Sequence, residues 1–422
     1  MKKTFIVKGN KQPLQGEVII QGHKNAAGPV LCATLISEKP SIIDNIPRIS
    51  DILNLIKILE QMGAEIEWIN DHKIKIDPKN VDPNKMSADL FKKMRMSVLL
   101  IGPLLSRFKS FKIPRPGGDK IGLRPISAHL DAFKKLGVKV EESDGFYHFQ
   151  APETIYGKTI VLKEFSVTAT ENLMMLASKC QGITKIKTAA CEPNVQDLGN
   201  FLIKMGVNIK GNGTHDLEIQ GTQNLNEVTH SICPDLIEAG TFFLAFALTK
   251  GEGIIKNVDP KALTFFLEKM KEIGINFEVK ENEILIKKSE NFKPTKIQSL
   301  PHPGFPTDLQ PQATVLLTQA QGKSLIHDPL YENRFGHLSE LKLMGADIEI
   351  TDPHRALVFG KTKLIANDIS AADIRAGATL ILAALIAEGT SRIENVHHIE
   401  RGYERFEEKL KSLGADIQIG QV

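Results

Sequence analysis

The sequence predicts an α/β protein of two domains, each built from three copies of one repeat unit. Two observations support this. Glycines that can end an amphipathic helix recur at a period of roughly 70 residues, and a predicted β-hairpin follows them. A second helical segment, apolar on all faces, precedes each amphipathic one. The six glycines are Gly63, Gly137, Gly206, Gly274, Gly345 and Gly414.

The first unit shows how its elements are predicted. Apolar residues recur at helical spacing over 52–62, and Ser50 or Asp51 is expected to cap this helix. Gly63 can adopt the left-handed conformation that ends it. Over 65–76, apolar and charged residues then alternate, which predicts a hairpin with one buried face.

The apolar segments predict six helices that are buried on every side. They read AAGPVLCATLI, RMSVLLIGPLL, ENLMMLASKC, EAGTFFLAFAL, QATVLLTQA and RAGATLILAALI. All are shorter than the ~20 apolar residues of a membrane span. A short strand follows five of them plainly, so the unit is buried helix, strand, surface helix, hairpin. Three such units can close around their buried helices as one domain.

The two ends of the chain indicate where the domains divide. The last unit ends in a single strand, LGADIQI, without a hairpin mate, whereas the N-terminal strands have no partner in the first unit. We expect the N-terminus to supply that mate. The predicted domains are therefore residues 23–233, and residues 1–22 together with residues 234–422.

Composition narrows the class of protein. The 422 residues are 42% hydrophobic, and 53 Lys and Arg balance 50 Asp and Glu, so no net field favours nucleic acid. The four cysteines lack metal-site spacing and are interpreted as buried, reduced thiols. The N-terminal MKKTFIVKGNKQ reads as a strand rather than a signal peptide, which predicts a cytoplasmic protein. We expect no metal and no cofactor.

The buried helices begin with polar or charged residues. Helix N-termini attract anions, so Lys24, Arg95 and Arg375 at these positions predict an anion-binding site. A cation at a helix N-terminus is repelled by the helix dipole. We therefore expect these three residues to serve a purpose other than stabilising the helix. Asp235 and Glu238 are interpreted as helix caps.

Two irregular segments are further candidates for a functional site. Residues 114–125 carry prolines, a glycine pair, Asp119 and Arg124, an arrangement that allows backbone to approach a ligand closely. In the fifth unit, Pro306 fixes the approach to Asp308 at a helix start. Either a catalytic carboxylate or a plain N-cap explains Asp308.

Over essentially its whole length the chain resembles the enolpyruvyl transferases. The motifs that carry this resemblance are GHKNAAGPVL, RPGGDKIGLRP, TATENLMM, EPNVQDLGNFL, FPTDLQPQ, YENRFGHLSELKLMGAD, DIRAGATLILAALIAEGT and HHIERGYERFEEKLKSLGAD. The resemblance implies a two-domain inside-out α/β barrel of six repeats. The repeat pattern indicates the same layout independently.

The resemblance also implies an activity: the enolpyruvyl group of phosphoenolpyruvate passes to the 3-hydroxyl of UDP-N-acetylglucosamine, with release of phosphate, at the start of peptidoglycan synthesis. The implied catalytic residues are Lys24, Asp119, Asp308 and Arg401. The implied substrate-binding residues are Asn25, Arg95, Arg124, Pro125, Ile126, Ser166, Val167, Leu330, Arg334 and Arg375. Both partners are small molecules, and no protein partner is evident.

The chain departs from the family pattern at three positions. Asp119 stands where most members have a cysteine that protonates phosphoenolpyruvate, and a carboxylic acid can serve if enough of it stays protonated. Because fosfomycin alkylates that thiol, we expect resistance to it. Glu164 and Ser127 also differ and leave uridine binding open. Alternatives are another UDP-sugar or nucleotide acceptor, a catalytically silent paralogue, and the shikimate branch, which expects motifs absent here.

Overall fold

Six β-sheets organise the residues that the computed structural model describes, namely 3–9, 12–118, 122 and 125–421, without the side chain of residue 421. Contacts divide the chain into two units. We call residues 22–118 and 125–233 the N-terminal unit. Residues 3–9, 12–21 and 234–421 are the C-terminal unit.

The elements follow in chain order. The chain starts in the C-terminal unit with strands β1 (Lys3–Lys8) and β2 (Gln15–Ile19). The N-terminal unit then holds α1 (Lys24–Ala33), β3 (Ser41–Asp44), α2 (Ser50–Met62), β4 (Glu65–Asn70), β5 (Lys73–Asp77), α3 (Ala88–Lys92), α4 (Ile101–Arg107), β6 (Ser110–Pro114), α5 (Ser127–Lys135), β7 (Lys139–Ser143), β8 (Phe146–Gln150), β9 (Thr159–Val161), α6 (Val167–Ala177), β10 (Ile183–Lys187), α7 (Pro193–Lys204), β11 (Asn208–Lys210), β12 (Asp216–Gln220) and β13 (Val228–Ser231).

The chain then returns to the C-terminal unit. Its elements are α8 (Leu236–Leu248), β14 (Glu252–Lys256), α9 (Thr264–Ile273), β15 (Asn276–Val279), β16 (Glu283–Lys287), β17 (Lys296–Gln298), α10 (Gln310–Thr318), β18 (Gly322–His327), α11 (Gly336–Leu343), β19 (Asp347–Asp352), β20 (Arg355–Gly360), β21 (Asp368–Ser370), α12 (Ile374–Ile386), β22 (Thr390–Glu394), α13 (Phe406–Ser412) and β23 (Asp416–Gln421). Short 3-10 helices lie at Thr34–Ile36, Pro83–Lys85, Arg95–Leu100, Pro260–Leu263, Thr307–Leu309 and Val396–Arg401.

Each unit contains three of the sheets. In the N-terminal unit their strand orders are β13-β3-β5-β4, β6-β8-β7 and β11-β12-β10-β9. In the C-terminal unit they are β15-β16-β14-β2, β17-β18-β20-β19 and β21-β22-β1-β23. In each sheet, the strand that follows a buried helix pairs with an antiparallel hairpin, or with the β1–β23 pair that takes its place. Five of the sheets also have a parallel strand at one edge.

The expected mate of the last strand is confirmed. Strand β1 pairs antiparallel with β23, in a register that joins Phe5 to Ile419, and on its other side with β22. The first strand therefore fills the place that a hairpin strand fills in the other units. Its inward side chains Phe5 and Val7 are fully buried in the core of the C-terminal unit.

The six glycines also behave as predicted, since all have positive φ values between 90° and 104°. At Gly63 and Gly274 the glycine itself is the helix C-cap in the left-handed region. A β-carbon is strained in that conformation, which explains why glycine stands at the junction of surface helix and hairpin.

One buried helix differs from its prediction. The segment RMSVLLIGPLL starts as a 3-10 helix and becomes α4 only at Ile101, which leaves a gap in the hydrogen-bond ladder where the helix type changes. Asn172 of α6 fills the gap: its Oδ1 accepts from Gly102 N at 2.7 Å, and its Nδ2 donates to Val98 O at 3.1 Å. The side chain thus replaces a main-chain hydrogen bond.

The expected cap of the first surface helix is wrong. Helix α2 has Ile49 at its N-cap, with Ser50 already inside the helix. The Asp51 carboxylate instead lies 2.8 Å from Nζ of Lys24. An apparent capping residue is therefore part of an ion pair at the start of α1.

The cysteines are free thiols, as expected, and Cys32, Cys180 and Cys191 are buried whereas Cys233 is partly buried. Burial raises the pKa of Cys180 and of Cys191 to about 11, so both stay protonated. Within the described residues, no helix combines the length and hydropathy needed to cross a membrane.

Candidate active site

The three buried helices of the C-terminal unit start with carboxylates. Asp235 Oδ1 accepts from the main-chain N–H groups of Ile237 and Glu238 at 2.8 and 3.0 Å, which makes it a true N-cap. Asp373 Oδ1 does the same for the second and third residues of α12, at 2.8 and 3.0 Å. These two carboxylates satisfy helix N–H groups.

Glu238 does not cap a helix, contrary to expectation. Its Oε1 accepts from Nζ of Lys409 at 2.6 Å, and its Oε2 accepts from Gln21 N at 3.0 Å. Burial is the main reason why its pKa is raised, and the Lys409 ammonium opposes that shift. Glu238 ties the end of β2 to α13 and is a structural residue.

Asp308 differs from both caps. It lies in the 3-10 helix Thr307–Leu309, whose N-cap is Pro306, and its carboxylate binds two guanidinium groups. Oδ1 accepts from Arg334 Nη2 at 2.6 Å, and Oδ2 accepts from Arg375 Nε at 3.0 Å, while Arg375 Nη2 lies 2.9 Å from Oδ2 as an ion pair. The choice between a plain N-cap and a charged site is therefore settled against the cap.

Exposure is unequal within this cluster. The Arg334 and Arg375 side chains are 3% and 5% exposed, whereas 28% of the Asp308 side chain is exposed. The two cations thus hold the carboxylate from inside the unit, and a ligand can reach it from outside. Such a carboxylate can accept a hydrogen bond or a proton from a substrate.

The charges explain why two buried arginines are stable here. Burial lowers the pKa of Arg375, but Asp308 foremost, then Tyr403 and Asp235, raise it more, and the net direction is upward. The same balance raises the pKa of Arg334, with Asp373 and Asp328 adding to the effect of Asp308. Two permanent guanidinium charges in turn favour the ionised form of the Asp308 carboxylate.

Asp328 connects this carboxylate cluster to the following loop. It is fully buried, its Oδ2 accepts from Thr307 Oγ1 at 2.6 Å, and its Oδ1 accepts from Leu330 N at 3.1 Å. Arg334 also donates to Thr307 O at 3.1 Å. The loop that carries Leu330, whose side chain is 39% exposed, is therefore fixed to the turn before Asp308.

In the N-terminal unit, two of the three buried helices start with a cation, and the third, α6, starts with uncharged residues. Lys24 is the first residue of α1 and is 9% exposed, with Asn25 beside it partly buried. Arg95 begins its 3-10 helix and donates from Nη2 to Pro125 O at 3.0 Å. In the described part of this unit, the N-cap side chains of the three buried helices make no capping hydrogen bond. These helices are α1, the 3-10 helix at Arg95 and α6.

Four expected substrate residues lie at two further helix starts of this unit. Pro125 is exposed and Ile126 is buried, directly before α5. Ser166 is the N-cap of α6 and Val167 its first residue, both partly buried. Main-chain N–H groups at these helix starts can donate to a ligand, although Pro125 has none.

The structure joins the predicted residues in two groups. It brings Asp308, Arg334 and Arg375 together in the C-terminal unit, and Arg95 and Pro125 together in the N-terminal unit. Arg401 ends the 3-10 helix Val396–Arg401 of the C-terminal unit. Asp119 and Arg124 lie outside the described residues.

Comparison with known proteins identifies the family. The family model described as EPSP synthase (3-phosphoshikimate 1-carboxyvinyltransferase) matches residues 8–410. The chain belongs to the enolpyruvyl transferase family. The resemblance noted in the sequence is thus confirmed over nearly the whole chain.

A relative and two solved structures define this similarity further. UDP-N-acetylglucosamine 1-carboxyvinyltransferase of Halothermothrix orenii is 43% identical over 414 residues, which cover 98% of this chain and 99% of the relative. The enolpyruvyl transferase NikO from Streptomyces tendae is 25% identical, with a TM-score of 0.91 over 100% of this chain and 99% of that one. EPSP synthase from Acinetobacter baumannii, 17% identical with a TM-score of 0.76 over 99% and 100%, shows the fold alone. The predicted fold class is confirmed.

Sequence reasoning missed Asp328 and Tyr403, which support the site, and gave Asp51 the role of a helix cap instead of a partner of Lys24. Each stands in a segment with a usable signal: Asp51 follows a helix-start serine, and Asp328 precedes a proline after a strand. Tyr403 lies within the HHIERGYERF motif. Their partners, however, are distant in sequence, so the signals do not reveal the contacts.

Proposed function

We propose that this enzyme transfers the enolpyruvyl group of phosphoenolpyruvate to the 3-hydroxyl of UDP-N-acetylglucosamine and releases phosphate. The observation that carries the proposal is the partly exposed Asp308 carboxylate held by two buried guanidinium groups. The 43% identity to a relative named for this reaction supports the choice of substrates. The reaction would take place in the cytoplasm, with small-molecule partners and no cofactor.

Phosphoenolpyruvate carries phosphate and carboxylate groups, which suit the cationic residues of the proposed site. Lys24 and Asn25 are the first two residues of α1, and the N-terminus of a helix attracts anions. Lys24, Arg124 and Arg401 would hold the two anionic groups. Arg95 and Arg375 would contribute to binding in the substrate and phosphate region. Guanidinium groups donate paired hydrogen bonds that match a carboxylate or a phosphate.

In the first step, the sugar 3-hydroxyl loses its proton to Asp308, and its oxygen bonds to C2 of phosphoenolpyruvate. The double-bond electrons take a proton at the methylene carbon, and Asp119 would donate it. The product of this addition is a tetrahedral intermediate. In the second step, its new methyl group would return a proton to the Asp119 carboxylate, the C2=C3 double bond re-forms, the C2–O bond to phosphate breaks, and phosphate takes up the proton from Asp308. No net oxidation occurs, and the products are the enolpyruvyl ether and phosphate.

The uridine and sugar would contact Pro125, Ile126, Ser166, Val167 and Leu330, largely through main-chain groups. Arg334 would order the loop that carries Leu330, which its hydrogen bonds to Thr307 O support. Glu164 and Ser127, where the family pattern differs, lie beside these segments in sequence. They are the positions at which uridine affinity should be tested.

The test is release of inorganic phosphate from phosphoenolpyruvate, with and without UDP-N-acetylglucosamine, for the wild type and Asp119→Asn. Release that needs the sugar nucleotide and is lost in the variant supports the proposal and the role of Asp119. Release that persists in the variant removes Asp119 as the proton donor. No release by the wild type contradicts the proposed function.

Fosfomycin gives a gain-of-function test of the same position. The wild type should keep its activity in the presence of the drug, since a carboxylate is a far poorer nucleophile towards the epoxide than a thiolate. Asp119→Cys should become sensitive in a time-dependent manner. Irreversible inactivation of the wild type at low dose would contradict the resistance that we propose.

A second acceptor is worth testing because the likeness to NikO extends over the whole chain. UDP-glucose and UMP, each offered in place of UDP-N-acetylglucosamine, would reveal another UDP-sugar or nucleotide acceptor. Faster phosphate release with either one would replace the acceptor in the proposal and keep the reaction.

A further inference from the structure

Tyr403 contacts all three buried helices of the C-terminal unit. Its hydroxyl oxygen lies 2.9 Å from Thr241 Oγ1 on α8 and 3.2 Å from Gln312 Nε2 on α10. Its ring faces the guanidinium of Arg375 on α12, with 5.4 Å between Cζ and the ring centroid. The side chain is buried, with 2% exposed.

The hydrogen bonds around this hydroxyl can be assigned individually. Thr241 Oγ1 donates its hydrogen to Ile237 O at 2.7 Å, so it can only accept from Tyr403. The Gln312 amide is a donor and supplies hydrogens to the Tyr403 oxygen and, at 3.4 Å, to Thr241 Oγ1. The phenol therefore donates to one helix and accepts from another, which fixes its orientation.

The Tyr403 ring limits where the Arg375 side chain can lie. The guanidinium binds Asp308 through Nε and Nη2 and lies against the Tyr403 ring. An arginine side chain has several rotatable bonds, and burial without such contacts does not select one arrangement. Cation–π attraction to a buried ring is strengthened because water is excluded.

We propose that Tyr403 is a positioning residue for the reaction: its oriented ring fixes Arg375, which in turn holds the Asp308 carboxylate in place. The proposal rests on the proposed function of Asp308. Tyr403 itself need not touch substrate. Its effect should therefore fall on turnover and on the ionisation of the carboxylate more than on substrate binding.

The test compares Tyr403→Phe, Tyr403→Leu and Thr241→Val with the wild type in sugar-dependent phosphate release. Loss of one hydrogen bond predicts that kcat of Tyr403→Phe falls about tenfold, with KM for phosphoenolpyruvate within about twofold. Tyr403→Leu, which also lacks the ring, should lose about a hundredfold. Tyr156→Phe removes the same hydroxyl from an exposed tyrosine and is the matched control.

The pH profile separates positioning from general damage. The charged groups near the carboxylate cluster are Arg334, Arg375, Asp235, Asp328 and Asp373. If Arg375 is held less well, the ionised carboxylate is stabilised less. The acid limb of kcat should then move to higher pH, by about half a unit, in Tyr403→Phe and in Thr241→Val. A double variant that falls no further than either single variant places both residues in one chain of contacts.

The outcomes distinguish this inference from the proposed function. A wild type that releases phosphate, beside a Tyr403→Phe variant with unchanged kcat and pH profile, overturns the inference alone. A wild type without activity contradicts the proposed function, and the Nε–H resonance of Arg375, assigned with Arg375→Lys, then decides the positioning role. An unchanged resonance in Tyr403→Phe and Thr241→Val overturns it, whereas a shifted or broadened one supports it.

Discussion

The two units use one repeat, but carboxylates start all three buried helices of one unit, whereas cations start two of the three in the other. In the C-terminal unit, Asp235 and Asp373 cap their helices, and Asp308 binds two buried arginines. In the described N-terminal unit, the corresponding N-cap side chains make no capping hydrogen bond, and Lys24 and Arg95 stand at the starts. The same scaffold thus offers a carboxylate in one unit and cations beside helix N–H groups in the other.

This difference suggests a division of labour. Uncapped helix starts with cations suit the phosphate and carboxylate of one substrate. A carboxylate that two buried guanidinium groups hold suits the removal of a proton from the other substrate. If the division is real, substitutions in the two units should fail in different ways.

Asp308→Asn should have the largest effect. The neutral amide cannot take the hydroxyl proton and leaves two buried guanidinium groups without their counterion, so kcat should fall by about a thousandfold or more. KM for phosphoenolpyruvate should stay within about threefold. Both constants follow from steady-state phosphate release.

Asp352→Asn is the matched control, because that carboxylate pairs with Arg355 on an outer hairpin of the same unit. It should retain wild-type kinetics. An Asp308→Asn enzyme that keeps a tenth of the wild-type kcat would contradict a role in chemistry.

Lys24→Gln should damage the other half of the comparison. Loss of a charged hydrogen-bond donor to the substrate predicts that kcat/KM for phosphoenolpyruvate falls about a hundredfold. The control is Lys73→Gln, which removes a partly exposed cation from strand β5 of the same unit, where Lys73 pairs with Asp44 at 3.3 Å. Equal losses in both variants would mean that only net charge matters.

Asn172→Leu tests a second difference between the units. In the C-terminal unit, α8 and α12 run continuously for 13 residues, whereas the N-terminal unit needs Asn172 to bridge the gap before α4. Leucine leaves a buried N–H and a buried carbonyl unpaired, so the free energy of unfolding should fall by about 3 kcal/mol. Urea denaturation measures it.

The control for Asn172→Leu is Asn208→Leu on the exposed strand β11, where a change below about 0.5 kcal/mol is expected. Equal stability of the two variants would show that the Asn172 amide is dispensable.

The smallest effect concerns a feature that the units share. Each holds a buried neutral histidine beside an arginine: His129 near Arg95 and His337 near Arg334. Burial first, and the guanidinium second, lower both pKa values to about 3 from 6.5. Because the unfolded chain binds these protons and the folded one does not, stability is full above pH 6.5 and declines as the pH falls towards 3.

The expected loss is about 1 kcal/mol per pH unit for each histidine between these limits. Urea denaturation at pH 7.5 and pH 5.5 should therefore show a smaller pH dependence in His129→Gln and in His337→Gln than in the wild type. An unchanged dependence in both variants would mean that these histidines take up protons in the folded state.

Local sequence patterns were enough to predict the repeat. Apolar periodicity predicts the buried and surface helices, and Gly63 and its five equivalents end the surface helices. The last strand has no hairpin partner in sequence, which predicts that β1 pairs with it. These features depend on neighbouring residues or on a strand that must find a partner.

The contacts within the candidate site could not be predicted in this way. Asp308 meets Arg334 and Arg375 across 26 and 67 positions, and Tyr403 meets Thr241 across 162. No periodicity encodes such pairs, so Asp308 could be read as a cap with equal reason. The catalytic and binding roles assigned by resemblance, among them those of Asp119 and Arg124, remain predictions.

The division of labour is tested most directly by titrating phosphoenolpyruvate, with saturating UDP-N-acetylglucosamine, into Asp308→Asn and into the double variant Asp308→Asn/Lys24→Gln in a calorimeter. Turnover should be slower by about a thousandfold or more in both proteins, so the heat of each injection reports mainly binding. We expect Asp308→Asn to bind phosphoenolpyruvate and the double variant to bind it at least about tenfold more weakly. Equal affinity in the two proteins, or no binding by Asp308→Asn, would contradict the division.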